Sequence, residues 1–335
     1  MAMLRVGIDV SPLAQTRAGT ARYLTELTTA LEREPDVDLR RYGFGGAGRS
    51  VAALRDAVWY PAVLPARARR DGVGVLHCPT FRAPLRSPVP LVVTFHDLAV
   101  LRHPEAFNRW TRRYSALMLP RVARAAAAIV AVSEFTKREL IDLLAVPAEK
   151  VRVIPNAVSA PFRREGPASE GDYVLAVSTL EPRKNLQTLA DAFRRAKLDH
   201  CELRLVGARG WGGVEVNGDR VRYLGFVSDE ELASLYRGAR CVAYVSRYEG
   251  FGLPVLEALA CGAAVVAADL PPIREFVDGA AITVDPADPD SIATGLEQAV
   301  ARHDELSAQG PDAAAPYEWG RTAAETLALY REVAA

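Results

Sequence analysis

A chain of 335 residues is longer than one hydrophobic core usually serves and suits two domains of roughly 150 residues each. Half of its residues are apolar and 24% are charged, an ordinary globular balance, and no apolar run approaches the ~18 residues of a membrane span. The formal net charge of zero conceals an asymmetry: 25 Lys and Arg stand against 15 Asp and Glu through Glu165, and 16 against 26 beyond it. A basic first half fits an anionic membrane surface or an anionic acceptor, and it fits equally a solvated face in an arginine-rich chain. Cys78, Cys201, Cys241 and Cys261 stand far apart with no CxxC spacing, so neither a disulfide framework nor a zinc site is indicated. The opening MAMLRVGIDV enters a strand-like run without the pattern of a signal peptide. The expectation is a cytoplasmic protein, peripheral at the inner membrane face if the basic half docks there, with no nucleic-acid partner.

In chain order, Leu4–Asp9 reads as a strand, Arg22–Arg33 as a helix, and Asp38–Tyr42, Val75–His77 and Leu91–Thr94 as strands. Arg109–Arg124 follows as a helix and Ala128–Val132 as a strand. Ser133 is placed to cap a helix reaching Leu144, and Val151–Ile154 is a strand stopped by Pro155. Short apolar strands alternating with helices predict a doubly wound parallel sheet. The stretch Ser159–Asp172 has two prolines, two glycines and no apolar period, and reads as a linker. A second alternation follows: strands at Tyr173–Val177, Glu202–Val206, Val221–Leu224, Cys241–Val245 and Ala264–Ala267. Helices are predicted at Leu186–Ala196, after a Ser228/Glu231 capping box, at Pro254–Ala260 and at Pro289–Arg302. A terminal helix over Tyr317–Val333 is set off by a Pro311–Pro316 break. Gly43–Gly48, GFGGAG, fits GxGxxG, but it follows the second strand and lacks a following strand that ends in an acid, so a loop is the better reading.

The strongest local signal is Ser246–Glu257, SRYEGFGLPVLE. A strand ends, Gly250 and Gly252 free the backbone for close approach, and Pro254 opens a helix. Unpaired N–H groups and the positive dipole end at such a helix start suit a diphosphate, although the pattern also describes a plain tight turn. Glu257 suits a ribose diol and Glu249 a sugar hydroxyl. On a separate loop Arg183 and Lys184 follow a strand and Pro182, where adjacent cations can neutralise a leaving diphosphate; no Asp-x-Asp metal motif is visible.

Glu249 and Glu257, with GFGLPVL between them, resemble the E-x7-E element of glycosyltransferase family 4, whose members are retaining enzymes with the GT-B fold. The resemblance runs along nearly the whole chain. Ser178–Asn185, STLEPRKN, is similar to the family's phosphate-gripping loop, and Leu224–Val227, LGFV, to its base-binding turn. Thr94–Leu98, TFHDL, and Val132–Lys137, VSEFTK, resemble elements of the mannosyltransferase-rich subgroup. Tyr317–Tyr330 resembles the family's C-terminal crossing helix.

The resemblance implies an α/β GT-B architecture, two Rossmann-like domains facing each other across a cleft, with a C-terminal helix crossing back to the first. Residues 1–165 would bind the acceptor, 166–315 the nucleotide-sugar donor, and 316–335 would form the helix. It assigns His96, Arg183, Lys184 and Glu249 to catalysis, and Gly19, Ser178, Phe226, Val227, Gly250, Phe251, Gly252, Leu253 and Glu257 to the donor. Arg17, Thr20 and Asp97 would orient or touch the acceptor. Two departures stand out: Thr20–Ala21 in RAGTARY, where the family has a GIGRY-like form, and Ala157, where it often has glycine.

The implied reaction is retaining transfer of a hexose, mannose from GDP-mannose in the first instance, to a glycan, lipid-linked or small-molecule hydroxyl, without metal or other cofactor. UDP-hexose or dTDP-rhamnose donors, a GT-B-like epimerase and a non-catalytic nucleotide-sugar binder are the alternatives. A pyridoxal-dependent phosphorylase fits poorly, because Lys137, Lys150, Lys184 and Lys197 are the only lysines.

Overall fold

The computed structural model describes residues 3–15, 19–46, 48–210, 212–216 and 218–335. The chain forms two compact units, Met1–Asn156 with Trp319–Ala335, and Ala157–Glu318. The first holds a sheet of six parallel strands in the order β2-β1-β3-β4-β5-β6. Their ranges are Leu4–Asp9 (β1), Val37–Tyr42 (β2), Val75–Cys78 (β3), Leu91–Phe95 (β4), Ala128–Ala131 (β5) and Val151–Val153 (β6). The second has six parallel strands in the order β12-β11-β10-β7-β8-β9. These are Tyr173–Val177 (β7), Glu202–Val206 (β8), Val221–Gly225 (β9), Cys241–Tyr244 (β10), Val265–Ala268 (β11) and Ile282–Val284 (β12). Strands β3, β4, β5, β10 and β11 are buried on both faces, which is why they read as unbroken apolar runs. The strand order reverses between β1 and β3 in the first sheet and between β7 and β10 in the second; such points open a crevice at the strands' C-terminal ends.

Both expected caps form: Ser133 Oγ accepts from Thr136 N at 3.0 Å, and Ser228 Oγ from Glu231 N at 3.1 Å. All four cysteines are buried and free. Among the described residues no helix is long and apolar enough to cross a membrane.

Three sequence expectations need correction. The stretch 159–172 is no linker; the units divide after Asn156, not after Glu165, and it belongs to the second unit. Arg237 donates to the carbonyls of Pro167 at 2.7 Å and Arg163 at 2.9 Å, and Phe162, 3% exposed, packs its ring on Tyr236. Gly238 permits this docking, since a Cβ there would lie 2.0 Å from Ser169 O. The expected break at Pro311 lies inside a helix, His303–Ala314, held by Leu306, Gly310 and Ala314 packed inward. The terminal helix starts at Trp319, not at residue 316, because Val158 N bonds Tyr317 O at 3.0 Å and the Tyr317 ring meets Phe251 and Phe276 in the second unit. A further segment carried no sequence expectation. Between β2 and β3, helix Arg49–Leu54 continues through a π-helical stretch, Arg55–Val63, into helix Leu64–Arg70, with Pro61 inside the wide turns.

The helix Trp319–Ala334 is tied into the first unit by a buried polar chain. Tyr330 OH meets His77 Nδ1 at 2.6 Å, His77 Nε2 meets Thr94 Oγ1 at 2.8 Å, and Thr94 Oγ1 meets Tyr23 OH at 3.1 Å. Burial holds the His77 imidazole neutral, its pKa lowered to about 3. Tyr330→Phe should therefore strand a buried imidazole nitrogen and destabilise the first unit by about 1–3 kcal/mol. Urea unfolding measures this; a midpoint unchanged from wild type would contradict the role given to the chain of bonds.

Candidate active site

At the reversal point of the second sheet, the loops after β7 and β10 meet. The first turns through Pro182–Lys184 and ends at Asn185, whose left-handed backbone (φ 61°) starts the helix Leu186–Arg195. Asn185 Nδ2 donates to Val245 O at 3.1 Å, Arg247 Nε donates to Asn185 Oδ1 at 3.0 Å, and Arg247 N donates to Arg183 O at 2.9 Å. These bonds clamp one loop to the other and hold the two cations beside the glycine turn.

Arg183 and Lys184 converge on Glu249. Lys184 Nζ lies 2.6 Å from Glu249 Oε1, and Arg183 Nη1 lies 3.3 Å from Oε2 and 2.8 Å from Tyr248 O. Arg183 also pairs with Glu181 at 2.8 Å, and Lys184 donates to Tyr244 OH at 3.1 Å. Glu249 is 7% exposed. Burial pushes its carboxyl up, but Lys184 and Arg183 more than offset this and bring it down to about 2. A general base works best with a pKa near the working pH. Glu249 is therefore suited to holding two cations in place rather than to taking a proton.

The turn itself has the expected form. Gly252 caps the helix Leu253–Ala260 with φ 109°, a left-handed conformation that favours glycine. Among the described residues, the N–H groups of Phe251, Gly252 and Leu253 have no protein acceptor, and Pro254 has no N–H to offer. Phe251 stacks on Phe276 with ring centroids 5.2 Å apart, which fixes the turn from below. Gly250 is buried with it. Glu257 is 1% exposed and its Oε2 accepts from Tyr236 OH at 3.3 Å. Phe226 is 57% exposed after β9, beside half-buried Val227, and presents a free aromatic face. Ser178 directly follows β7, with its Oγ buried and unpartnered among the described residues.

In the first unit, His96 follows β4 and its Nε2 meets Pro79 O at 2.9 Å, which places the proton on Nε2 and leaves Nδ1 as an acceptor. Burial lowers its pKa. Asp97 Oδ1 accepts from Ala99 N at 2.9 Å and turns the chain into a short helix, so this carboxylate serves the loop's own backbone. Gly19 opens the helix Gly19–Leu31, with nothing within 4 Å of where a Cβ would stand, and Thr20 is half-buried behind it. Arg17 lies outside the described residues. The GFGGAG sequence follows edge strand β2 and not the first strand, and its Phe44 N donates to Ser11 Oγ at 2.9 Å. The clamp residues Asn185, Arg247, Glu181 and Tyr244 were missed from the sequence; only the strand-end position of Tyr244 and the asparagine at a helix start were there to be read.

Residues 160–314 match the family described as Glycosyl transferases group 1, and residues 17–160 match Glycosyltransferase Family 4. Over 283 residues the chain is 32% identical to O-antigen chain mannosyltransferase B of Escherichia coli, covering 77% of this chain and 74% of that one. The chain belongs to glycosyltransferase family 4. It is also 28% identical to a D-inositol 3-phosphate glycosyltransferase of Geodermatophilus obscurus over 92% of this chain and 79% of that one. The fold is GT-B, shared with sucrose-phosphate synthase from Thermosynechococcus elongatus at a TM-score of 0.78 and 20% identity over 98% of each chain.

The depressed pKa of Glu249 ties the stability of this glycosyltransferase to pH. Its carboxylate contributes stability that is complete above the unfolded value of 4.5 and is lost as pH falls from there toward about 2. The contribution is about 3 kcal/mol. Glu249→Gln should be less stable than wild type at pH 7, and the gap should narrow below pH ~4.5 as the wild-type carboxylate takes up protons. Thermal melts of both chains across pH 3–7 check this; a gap independent of pH would refute the buried ion pair.

Proposed function

We propose that this glycosyltransferase moves mannose from GDP-mannose to a hydroxyl of a glycan or lipid-linked acceptor, with retention of the anomeric configuration and without a metal or other cofactor. The observation that carries the reading is the pair Arg183–Lys184, locked by Glu249 beside the unpaired N–H groups of the Phe251–Leu253 turn. As the anomeric C–O bond breaks, an oxocarbenium-like sugar forms and negative charge grows on the diphosphate. Preorganised cations and amides stabilise that charge without reorganising. The leaving diphosphate oxygen accepts the acceptor's proton as the hydroxyl attacks from the same face. A Glu249 with a pKa near 2 is no competitor for that proton.

The second unit would bind the donor and the first the acceptor. Mannose is favoured by the named activity of the Escherichia coli relative. The exposed ring of Phe226 supports stacking of a base, and stacking accepts any base, so UDP-hexose and dTDP-rhamnose are the competing donors. The helix Arg109–Ala125 buries Ser115, Leu119, Val122 and Ala123 and turns Trp110 and Leu117 outward among Arg109, Arg112, Arg113, Arg121 and Arg124. That face supports peripheral contact with an anionic membrane surface.

Lys184→Ala should lower turnover of GDP-mannose by on the order of a hundredfold while the chain stays folded. Release of GDP measures it, with UDP-glucose and dTDP-rhamnose run in parallel; near-full activity in the variant would sink the cation assignment. For the membrane contact, co-sedimentation with anionic but not neutral liposomes at low salt is expected, and it should be lost when Arg112 and Arg113 are both changed to Glu. Absence of binding to anionic vesicles would end that part of the reading.

A further inference from the structure

The first unit has its own order reversal, between β1 and β3, and the residues gathered there include one with no structural occupation. Arg55 opens the π-helical stretch Arg55–Val63 and is only 4% exposed. Its Nε is buried without a hydrogen-bond partner, and among the described residues the guanidinium makes no ion pair or hydrogen bond. Other arginines of this chain that are held against the protein show what a structural role looks like: Arg237 donates to three carbonyls, and Arg183 to two carboxylates and a carbonyl.

The neighbouring carboxylates are already committed. Asp56 gives both oxygens to Arg82 Nη1. Asp9, at the end of β1, accepts from Ser11 through Oδ1 and from Tyr60 OH through Oδ2 at 3.1 Å. A buried lysine or histidine without a counter-ion can release its proton, whereas a guanidinium cannot. Among the described residues nothing meets the charge of Arg55, which leaves its guanidinium open to an anion from outside the chain.

The surroundings suit an oxyanion. Arg82, four residues beyond β3, lies over the Tyr114 ring at 5.0 Å. The charges of Arg55 and Arg82 both bear on the Tyr60 and Tyr114 phenols, so the two cations share one neighbourhood, and Asp56, next to Arg55 in the chain, pairs with Arg82. A planar guanidinium matches the paired oxygens of a phosphate or carboxylate. Long π-helical stretches are rare, and π turns cluster at functional sites.

We propose that Arg55, with Arg82 beside it, forms an oxyanion subsite at the reversal point of the first sheet, and that it selects an acceptor bearing a phosphate or carboxylate group. The inference rests on the reading that the first unit receives the acceptor, and it adds the charge that the acceptor carries. Arg55 is a specificity-determining residue here. It does not touch the reacting atoms.

The test uses the full chain carrying Lys184→Ala, so that the donor loop no longer offers its lysine to an anion. Inorganic phosphate and acetate are titrated by calorimetry at matched ionic strength. Phosphate should bind, and adding Arg55→Gln should weaken it by about tenfold or more. Acetate binding equal to that of phosphate would point to a carboxylate-bearing acceptor, and preference for phosphate to a phosphorylated one. Arg55→Lys keeps the charge but loses the fork, and it should bind phosphate with intermediate affinity; it decides the matter if Arg55→Gln does not fold. No binding of either anion, or binding that neither Arg55 variant weakens, overturns the subsite. Failure of wild type to bind GDP would instead tell against the donor assignment and leave the phosphate result to stand by itself.

Discussion

Burial of a carboxylate such as Glu249 raises its pKa and works against its charged form. Lys184 and Arg183 oppose this effect from 2.6 and 3.3 Å. The arrangement of the loops after β7 and β10 depends on this mutual constraint. Each cation is 12% exposed and offset by the carboxylate, and the two cations in turn favour its charged form. The cluster is nearly neutral overall, because Glu181 adds a second negative charge. What the cluster supplies is placement: two hydrogen-bond donors already fixed beside the glycine turn.

The loops that carry this cluster stand where the sheet topology leaves room. Between β7 and β10 the connections depart in opposite directions, and each strand end delivers a loop to the same crevice. Asn185 and Arg247 convert that adjacency into rigidity by bonding one loop's backbone to the other. The first unit repeats the plan between β1 and β3, with Asp9 and Ser11 from one side and Arg82 from the other. One architectural rule thus brings loops together at a reversal point in each unit, with different side chains.

Much of this was readable in the residues. The buried strands are continuous apolar runs, and the glycines, proline and paired cations of the donor loops have a local physical meaning at their positions. What was not readable depends on partners remote in sequence. Residues 159–172 have no apolar period because Arg237 and Gly238 hold them through backbone carbonyls. Pro311 marks a helix end in isolation, yet packing of Gly310 and Ala314 carries the helix past it. Pro61 interrupts the 3.6-residue period, so the π-helical stretch has no pattern to detect. Glu257 reads as a carboxylate for a ribose diol, and only the fold shows Tyr236 OH bonded to it. Arg55 is one arginine among many until its burial and lack of partners are known.

The path of the backbone has a consequence for how the molecule is made. The first unit is left at Asn156 and rejoined at Trp319, so the second unit is an insertion within it. During synthesis, residues 157–318 emerge complete while the first sheet still lacks the helix that supplies Tyr330 to His77. The unit begun first is the one finished last, and until then its buried imidazole waits for a partner encoded 253 positions downstream. A fragment cut after Asn156 would keep every strand of its sheet and still lack the piece that closes it.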